Sequence, residues 1–445
     1  MATKKLRATR VIRRGAVMAT AIAAVAALSA CSGGGSPAGG GDGKPSGELQ
    51  ILVSSADASD AAFKLINDGF QKKYPDVKVV LSSVSNDNYP ATKSSRLTAG
   101  NVDIFVAKNF VEVPDFAKDS TSDDVFLARS GGILDLTNES FMKNYTPSVL
   151  DSQAIDGKQY VVPTGLSYST GVYYNKAIFE KNNLSVPTTW SELENVMSTL
   201  QAAGVPSFGI GGKDTWPAGL AMLGSVAGVY PTADDKAQLV EGLWKNTVSL
   251  TDAKPLSILQ KTETILQHAQ PNFAGTGYDE IPAGFAAGSY AMTIDGTWNE
   301  PTIKAAVNGA FDYGYFPLPA ADDAADNAFL NGKIELQLAV AAGAKNKDAA
   351  LAWLDYFSDP ANYKTFVDRS GFSPAQQGIE ASDFLTSIEK YTSTFQPAWD
   401  QKWVANNKAG QDAVYPFNYP ALAPLGSSDA QQAATAAEAA WKAAF

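Results

Sequence analysis

The most constraining feature of this chain is an alternation that begins at Leu49, where short apolar runs exchange with apolar residues at helical spacing. Leu49-Gln50-Ile51-Leu52-Val53 has the length and composition of a strand and ends at Ser54-Ser55. Phe63, Ile66 and Phe70 then fall on one helical face, and the pattern stops near Tyr74-Pro75. Val77 to Leu81 is β-branched and reads as a second strand. A second helix is expected across Pro90 to Ala99, and Asp103-Ile104-Phe105-Val106 is a third strand. A β-α-β-α-β order implies parallel strands in an α/β layer.

A second unit follows Tyr160-Val161-Val162-Pro163. Val172-Tyr173-Tyr174 is strand-like, and Thr189-Trp190-Ser191-Glu192 has capping-box spacing for a helix ending near Gly204. Phe208-Gly209-Ile210 resumes a strand. Leu351-Ala352-Trp353-Leu354 belongs to a helix that ends before Asp359-Pro360, and Ala433 to Phe445 reads as a terminal helix with Trp441 and Phe445 packing down. No internal repeat is evident. At 445 residues, with 45% hydrophobic and 18% charged residues, the chain is long enough for two domains and too apolar for wholesale disorder.

The start of the chain reads as an address. Lys4, Lys5, Arg7, Arg10, Arg13 and Arg14 precede an apolar run from Ala16 to Leu28, too short to span a bilayer but suited to a signal peptide over residues 1–30. Leu28-Ser29-Ala30-Cys31 resembles the bacterial lipobox, so Cys31 is expected to be lipidated and to become the N-terminus. An ordinary signal peptide with a chance cysteine is the alternative. Ser32 to Gly47 is half glycine, so residues 31–47 are expected to form a lipidated cysteine and a flexible linker. Removing the leader's six bases leaves 29 basic residues against 46 acidic ones, a net −17. Such a charge repels nucleic acid and anionic lipid, so membrane contact is expected through the lipid anchor only. Cys31 and His268 are the single cysteine and histidine, which excludes intrachain disulfides and Cys/His zinc sites.

Several spaced segments resemble the sugar-binding lipoproteins of bacterial ABC importers, the family that includes maltose-binding protein. They are Asp156-Gly157-Lys158-Gln159-Tyr160-Val161-Val162-Pro163, Tyr174-Asn175-Lys176 with Phe179, and Pro187-Thr188-Thr189-Trp190 with Glu192-Leu193. Phe285, Gly288, Ala291-Met292 and Gly296-Thr297-Trp298 continue the series, followed by Gly314-Tyr315-Phe316-Pro317-Leu318-Pro319 and Gly371-Phe372-Ser373-Pro374. The last seventy residues match poorly. The resemblance implies an α/β fold of two lobes with a ligand cleft and three interlobe crossings, near Gly165 to Ser169, at Asp295-Gly296 and near Asn331 to Lys333. Lobe 1 would then comprise residues 48–165 and 296–331, and lobe 2 residues 166–295 and 332–445.

A sugar needs carboxylates, amides and a few cations interleaved with aromatic faces. The resemblance and the places of residues near strand ends and crossings single out Asp57, Lys108, Asn109, Tyr168, Asp214, Trp216, Asp295, Trp298, Lys333 and Trp399. Each has a plainer reading. Asp57 suits a helix N-cap, Lys108 and Asn109 suit a surface loop, and Trp216 suits core packing. Lys333 could simply pair with Glu335. Trp399 and Trp403, four apart, lie on one helical face as core residues do. His268 reads as an ordinary solvated or packed histidine.

The resemblance implies a monomeric receptor at the outer face of the bacterial cell membrane, delivering carbohydrate, most plausibly an oligosaccharide, to an ABC permease. It implies no catalytic residue, metal or cofactor. The competing class is a secreted glycoside hydrolase, which needs two carboxylates at a fixed separation. No Gly-x-Ser-x-Gly frame, Walker loop or HExxH is present. A receptor for a non-sugar solute is the third class, favoured by acid clusters, paired tyrosines or anion-binding loops.

Overall fold

The computed structural model describes residues 44–54, 57–409 and 416–445. The signal peptide, Cys31 and most of the linker lie outside them. Chain order gives β1 (Gly47–Ser54), β2 (Val77–Val84), β3 (Ile104–Ala107), β4 (Val161–Val162), β5 (Gly165–Tyr168) and β6 (Gly171–Asn175). After these come β7 (Phe208–Gly209), β8 (Met292–Ile294), β9 (Tyr313–Pro317), β10 (Asn331–Glu335), β11 (Gln337–Val340) and β12 (Gln396–Pro397).

The first lobe is a five-stranded sheet in the order β2-β1-β3-β11-β4. β1 runs parallel to both β2 and β3, as the alternating pattern predicts. Its Ile51, Leu52 and Val53 are fully buried because helices cover both faces of such a sheet. The helix Asp57–Lys73 sets Phe63, Ile66 and Phe70 into that core.

The second lobe is a four-stranded sheet in the order β7-β8-β6-β9, with β6 antiparallel to both β8 and β9. Side chains alternate across β6, so Val172 enters one core and Tyr173 the other. The helix Trp190–Ala202 starts at the expected capping box. The Glu192 N–H donates to Thr189 Oγ1 at 3.2 Å, and the Thr189 N–H donates to Glu192 Oε2 at 3.3 Å. The terminal helix Ala430–Ala443 buries Trp441 edge-on against Trp244, while Phe445 touches both rings and stays 61% exposed.

Long-range packing corrects the expected lobe boundaries. Residues 296–331 do not join the first lobe: β9 pairs with β6, and Ile303 and Val307 of the helix Glu300–Val307 enter a second-lobe core. Residues 337–375 do join it. β11 pairs with β3, and Trp353 stacks on Phe63 while its indole N–H donates to Asn67 Oδ1 at 2.8 Å. Asp295-Gly296 is accordingly no crossing, since β8 and β9 on either side of it share one sheet. The chain passes between lobes near residues 163–170, again at 331–336, and a third time after Gln376, which still donates to Ser358 O in the first lobe. Leu385 and Ile388 already lie in the second.

The first two passages pair with each other. β5 and β10 form an antiparallel ribbon, with β12 beside β10. No helix among the described residues is long and apolar enough to cross a membrane.

Candidate functional site

Lys333 and Glu335 mark one face of the hinge ribbon. The register sets Lys333 opposite Ser167, and Glu335 opposite Gly165. Lys333 Nζ lies 3.3 Å from Glu335 Oε1, which also accepts from Ser167 Oγ at 2.5 Å. The same ammonium sits over the Trp298 ring, 5.1 Å from its centroid. This is cation–π distance, so the hinge and the second lobe meet at that indole.

Trp298 is half-buried and packs against the cores of both lobes. It follows β8 through Asp295 and Gly296. A Cβ on Gly296 would lie 2.0 Å from the indole, so only glycine lets the ring settle over its own backbone. The indole N–H donates to the Tyr278 hydroxyl at 3.0 Å, and that hydroxyl donates to Asp295 Oδ1 at 3.1 Å. Asp295 is 1% exposed. It also accepts from Gly296 N at 2.8 Å and from Asn299 Nδ2 at 2.6 Å. Burial outweighs those donors and pushes its carboxyl up to about 7.

Asp214 and Trp216 join the same group through Tyr278. Asp214 Oδ2 accepts from the Tyr278 N–H at 2.7 Å, and the Trp216 and Tyr278 rings lie 4.5 Å apart at 57°. Thus one tyrosine touches four of the predicted residues.

The first lobe contributes Lys108. Its N–H donates to Asp124 Oδ2 at 2.7 Å, and its ammonium donates to Ser54 Oγ at 2.9 Å, beside the Tyr89 ring. Burial, and then the Lys333 ammonium, push its own ammonium down to about 8. Asn109 is exposed in the left-handed region at φ 50°, as a turn asparagine tolerates. Asp57 opens the helix Asp57–Lys73, and its side chain lies outside the described residues.

Two predicted residues fall elsewhere. Tyr168 pairs with Gly332, one step out of phase with Lys333, so the period of two turns it to the other face of the ribbon. There it is 5% exposed, packed with Leu385 and Ile388 and edge-on to Phe395. Ser167 takes the Lys333 side instead. Trp399 is 1% exposed in the larger second-lobe core, stacked on Trp403 at 5.5 Å and against Phe417. Both rings are buried in that core, although the helix Trp399–Lys402 ends before Trp403, so the pair does not share one helical face.

Tyr278 and Ser167 went unread in the sequence. Tyr278 sits in no segment of the family resemblance, and Ser167, within the first expected crossing, is selected over Tyr168 only by the register of β5 on β10. Asp400 is a third. Burial raises its carboxyl, the nearby Lys333 ammonium opposes this, and its Oδ1 has no hydrogen-bond partner. His268 accounts for itself locally, with Nδ1 2.8 Å from Thr264 O. A separate cavity of about 560 Å³ lies between the helices Glu300–Val307 and Pro360–Ser370 and holds none of the candidate residues.

A family profile described as bacterial extracellular solute-binding protein matches residues 54–364, well over half the chain. The chain belongs to the bacterial extracellular solute-binding proteins. This solute-binding protein is 26% identical over 343 residues to an uncharacterized ABC transporter extracellular-binding protein of Pyrococcus horikoshii, covering 74% of this chain and 72% of that one. It is 23% identical over 322 residues to the multiple sugar-binding protein of Streptococcus mutans, covering 72% and 73%. Among solved structures, it superposes on RafE in complex with raffinose with a TM-score of 0.74 at 24% identity, over 89% of this chain and 99% of that one. A chitin oligosaccharide binding protein gives a TM-score of 0.72 at 21% identity, over 90% and 99%. These likenesses show the two-lobed fold. Trp399 lies beyond the matched segment, where the resemblance carried least weight.

Proposed function

We propose that this solute-binding protein is the carbohydrate receptor of an ABC importer, taking an oligosaccharide into the cleft beside the hinge ribbon. One observation carries the reading. Trp298, Trp216, Tyr278, Asp295 and Asp214 form a single aromatic and carboxylate group in the second lobe, and Lys333 joins it to the hinge. The indoles and phenol offer flat apolar area for ring C–H faces. Carboxylates and ammonium groups answer hydroxyls, which both donate and accept. Lys108 supplies a donor from the other lobe. A sugar touching both half-sites binds the closed arrangement better than the open one, and so shifts the population toward closure. The closed form then presents both lobes together to a permease, whose opening action releases the sugar.

The names of relatives support the sugar class, with raffinose, chitin oligosaccharide and mannitol among their ligands. Candidate ligand residues are Lys108, Asn109, Asp214, Trp216, Asp295, Trp298 and Lys333, with Asp57 from the first lobe. The receptor returns its ligand unchanged, acts as a monomer, and is held at the outer face of the cell membrane through lipid on Cys31.

A thermal-shift screen against mono- and oligosaccharides, with chromatography of the recovered sugar, tests this. A ligand at 100 times its Kd stabilises by about 2.7 kcal/mol, so a true ligand raises the melting temperature visibly. No shift with any sugar, or steady appearance of shorter sugars, rejects the proposal. Cys31→Ser should move the protein from membrane to soluble fractions, and unchanged membrane association rejects the anchor.

A further inference from the structure

We propose that Tyr278 is the positioning residue of the carbohydrate site, locking Trp298 and Trp216 into one preformed aromatic wall. The proposal rests on the carbohydrate-receptor reading above. Its basis is that one residue, by its ring, hydroxyl and backbone, contacts Trp298, Trp216, Asp295 and Asp214 together. The Tyr278 hydroxyl uses both of its capacities, accepting from the Trp298 indole N–H at 3.0 Å and donating to Asp295 Oδ1 at 3.1 Å. Its ring lies on Trp216 at 4.5 Å, and its backbone N–H is tied to Asp214 Oδ2 at 2.7 Å.

The tyrosine is itself held. Asp295 is buried at the end of β8 and fixed by donors from Gly296 and Asn299. On the backbone side, Gly211 approaches so closely that a Cβ there would lie 2.6 Å from Tyr278 Cα. Trp298 is packed against both cores and lies under the Lys333 ammonium, but these contacts leave the direction of its indole N–H to the phenol. It sits on the short turn Thr297–Asn299, half-exposed, with its indole N–H committed to the phenol. Removing the phenolic oxygen deletes the hydrogen bond that sets the direction of the indole N–H and loosens the ring within its packing. A sugar must then order the ring at the moment of binding, a cost that a preformed site avoids. The phenol keeps its own proton, because burial and then the Asp295 carboxylate hold its ionisation well above the usual tyrosine range.

The discriminating variant is Tyr278→Phe, which keeps the ring against Trp216 and deletes the relay alone. Indole N–H resonances of the unliganded ¹⁵N-labelled protein are recorded, with Trp298 assigned by the peak lost in Trp298→Phe. In Tyr278→Phe that peak should move upfield and exchange faster with water, while the other seven indoles and the melting temperature hold. Titration with raffinose, stachyose and chitotriose should then show about three- to tenfold weaker binding of any probe the wild type binds, the range one net hydrogen bond supports. An unmoved Trp298 peak overturns the proposal. So does a moved peak with unchanged affinity for a probe that Trp298→Ala weakens. Failure of the wild type to bind any sugar sinks the carbohydrate reading instead, and the two failures are distinct because the peak shift is read without ligand.

Discussion

Replacing Trp298 by alanine removes the aromatic surface that the site offers between its two lobes. A sugar ring laid on one indole face covers about a third of the 150–250 Å² that an aromatic side chain can bury, on the order of 60 Å². At about 25 cal/mol/Å² that area is worth about 1.5 kcal/mol. The ring's quadrupole adds about 0.5 to 1.5 kcal/mol. The total of about 2 to 3 kcal/mol predicts that Trp298→Ala weakens sugar binding about 30- to 150-fold. The fold should persist. The indole is half-exposed, and Tyr278 keeps its bond to Asp295 when Trp298 is gone. Calorimetric titration of wild type and variant with the same sugar measures the ratio, and circular dichroism confirms folding. Unchanged affinity removes Trp298 from the site. An unfolded variant assigns it to the core and refutes the reasoning.

Three further outcomes follow from the same geometry. Trp399→Ala should cost about 3 to 5 kcal/mol of stability, as a core tryptophan does, and a urea midpoint close to wild type would contradict its burial. Burial raises the Asp295 carboxyl from 3.8 to about 7, so between those values the folded chain holds a proton the unfolded chain has lost. Stability from this group therefore falls as pH rises from about 4 to about 7 and is level above. Asp295→Asn should remove that slope, and identical pH profiles for the two proteins would count against it. Lys236, fully buried with Nζ donating to Pro231 O at 3.2 Å, has its ammonium pushed down to about 8 by burial. Its contribution rises with pH between about 8 and 10.5, and Lys236→Met should lack that rise in urea melts across the window.

Much of this fold was legible because its determinants are local. The strand and helix run of residues 49–107 announces itself through apolar spacing, and the helix at Trp190 through its capping box. The lobe boundaries were not. What places residues 337–375 in the first lobe is β11 pairing with β3 and Trp353 packing on Phe63, contacts across more than two hundred residues of sequence. Asp295-Gly296, expected as a crossing, serves instead to seat Trp298. Of the candidate residues, the structure gathers Asp214, Trp216, Asp295 and Trp298 around Tyr278 with Lys333 over the indole, and turns Tyr168 to the other face of the ribbon. The phase of a strand is set by its partner's register, so Tyr168 and Ser167 exchange faces with a shift of one residue. Tyr278 carried no local signal. It matters because of what folds around it.

The central claim is that this protein binds a carbohydrate and returns it unchanged, and calorimetric titration with raffinose, stachyose and chitin oligosaccharides tests it most directly. A receptor gives heats that return to baseline after each injection and vanish once one equivalent has bound. The account predicts that pattern for at least one of these sugars. Heat flow that persists after each injection would mean turnover and favour a hydrolase, and the absence of heat with every sugar would contradict the carbohydrate site.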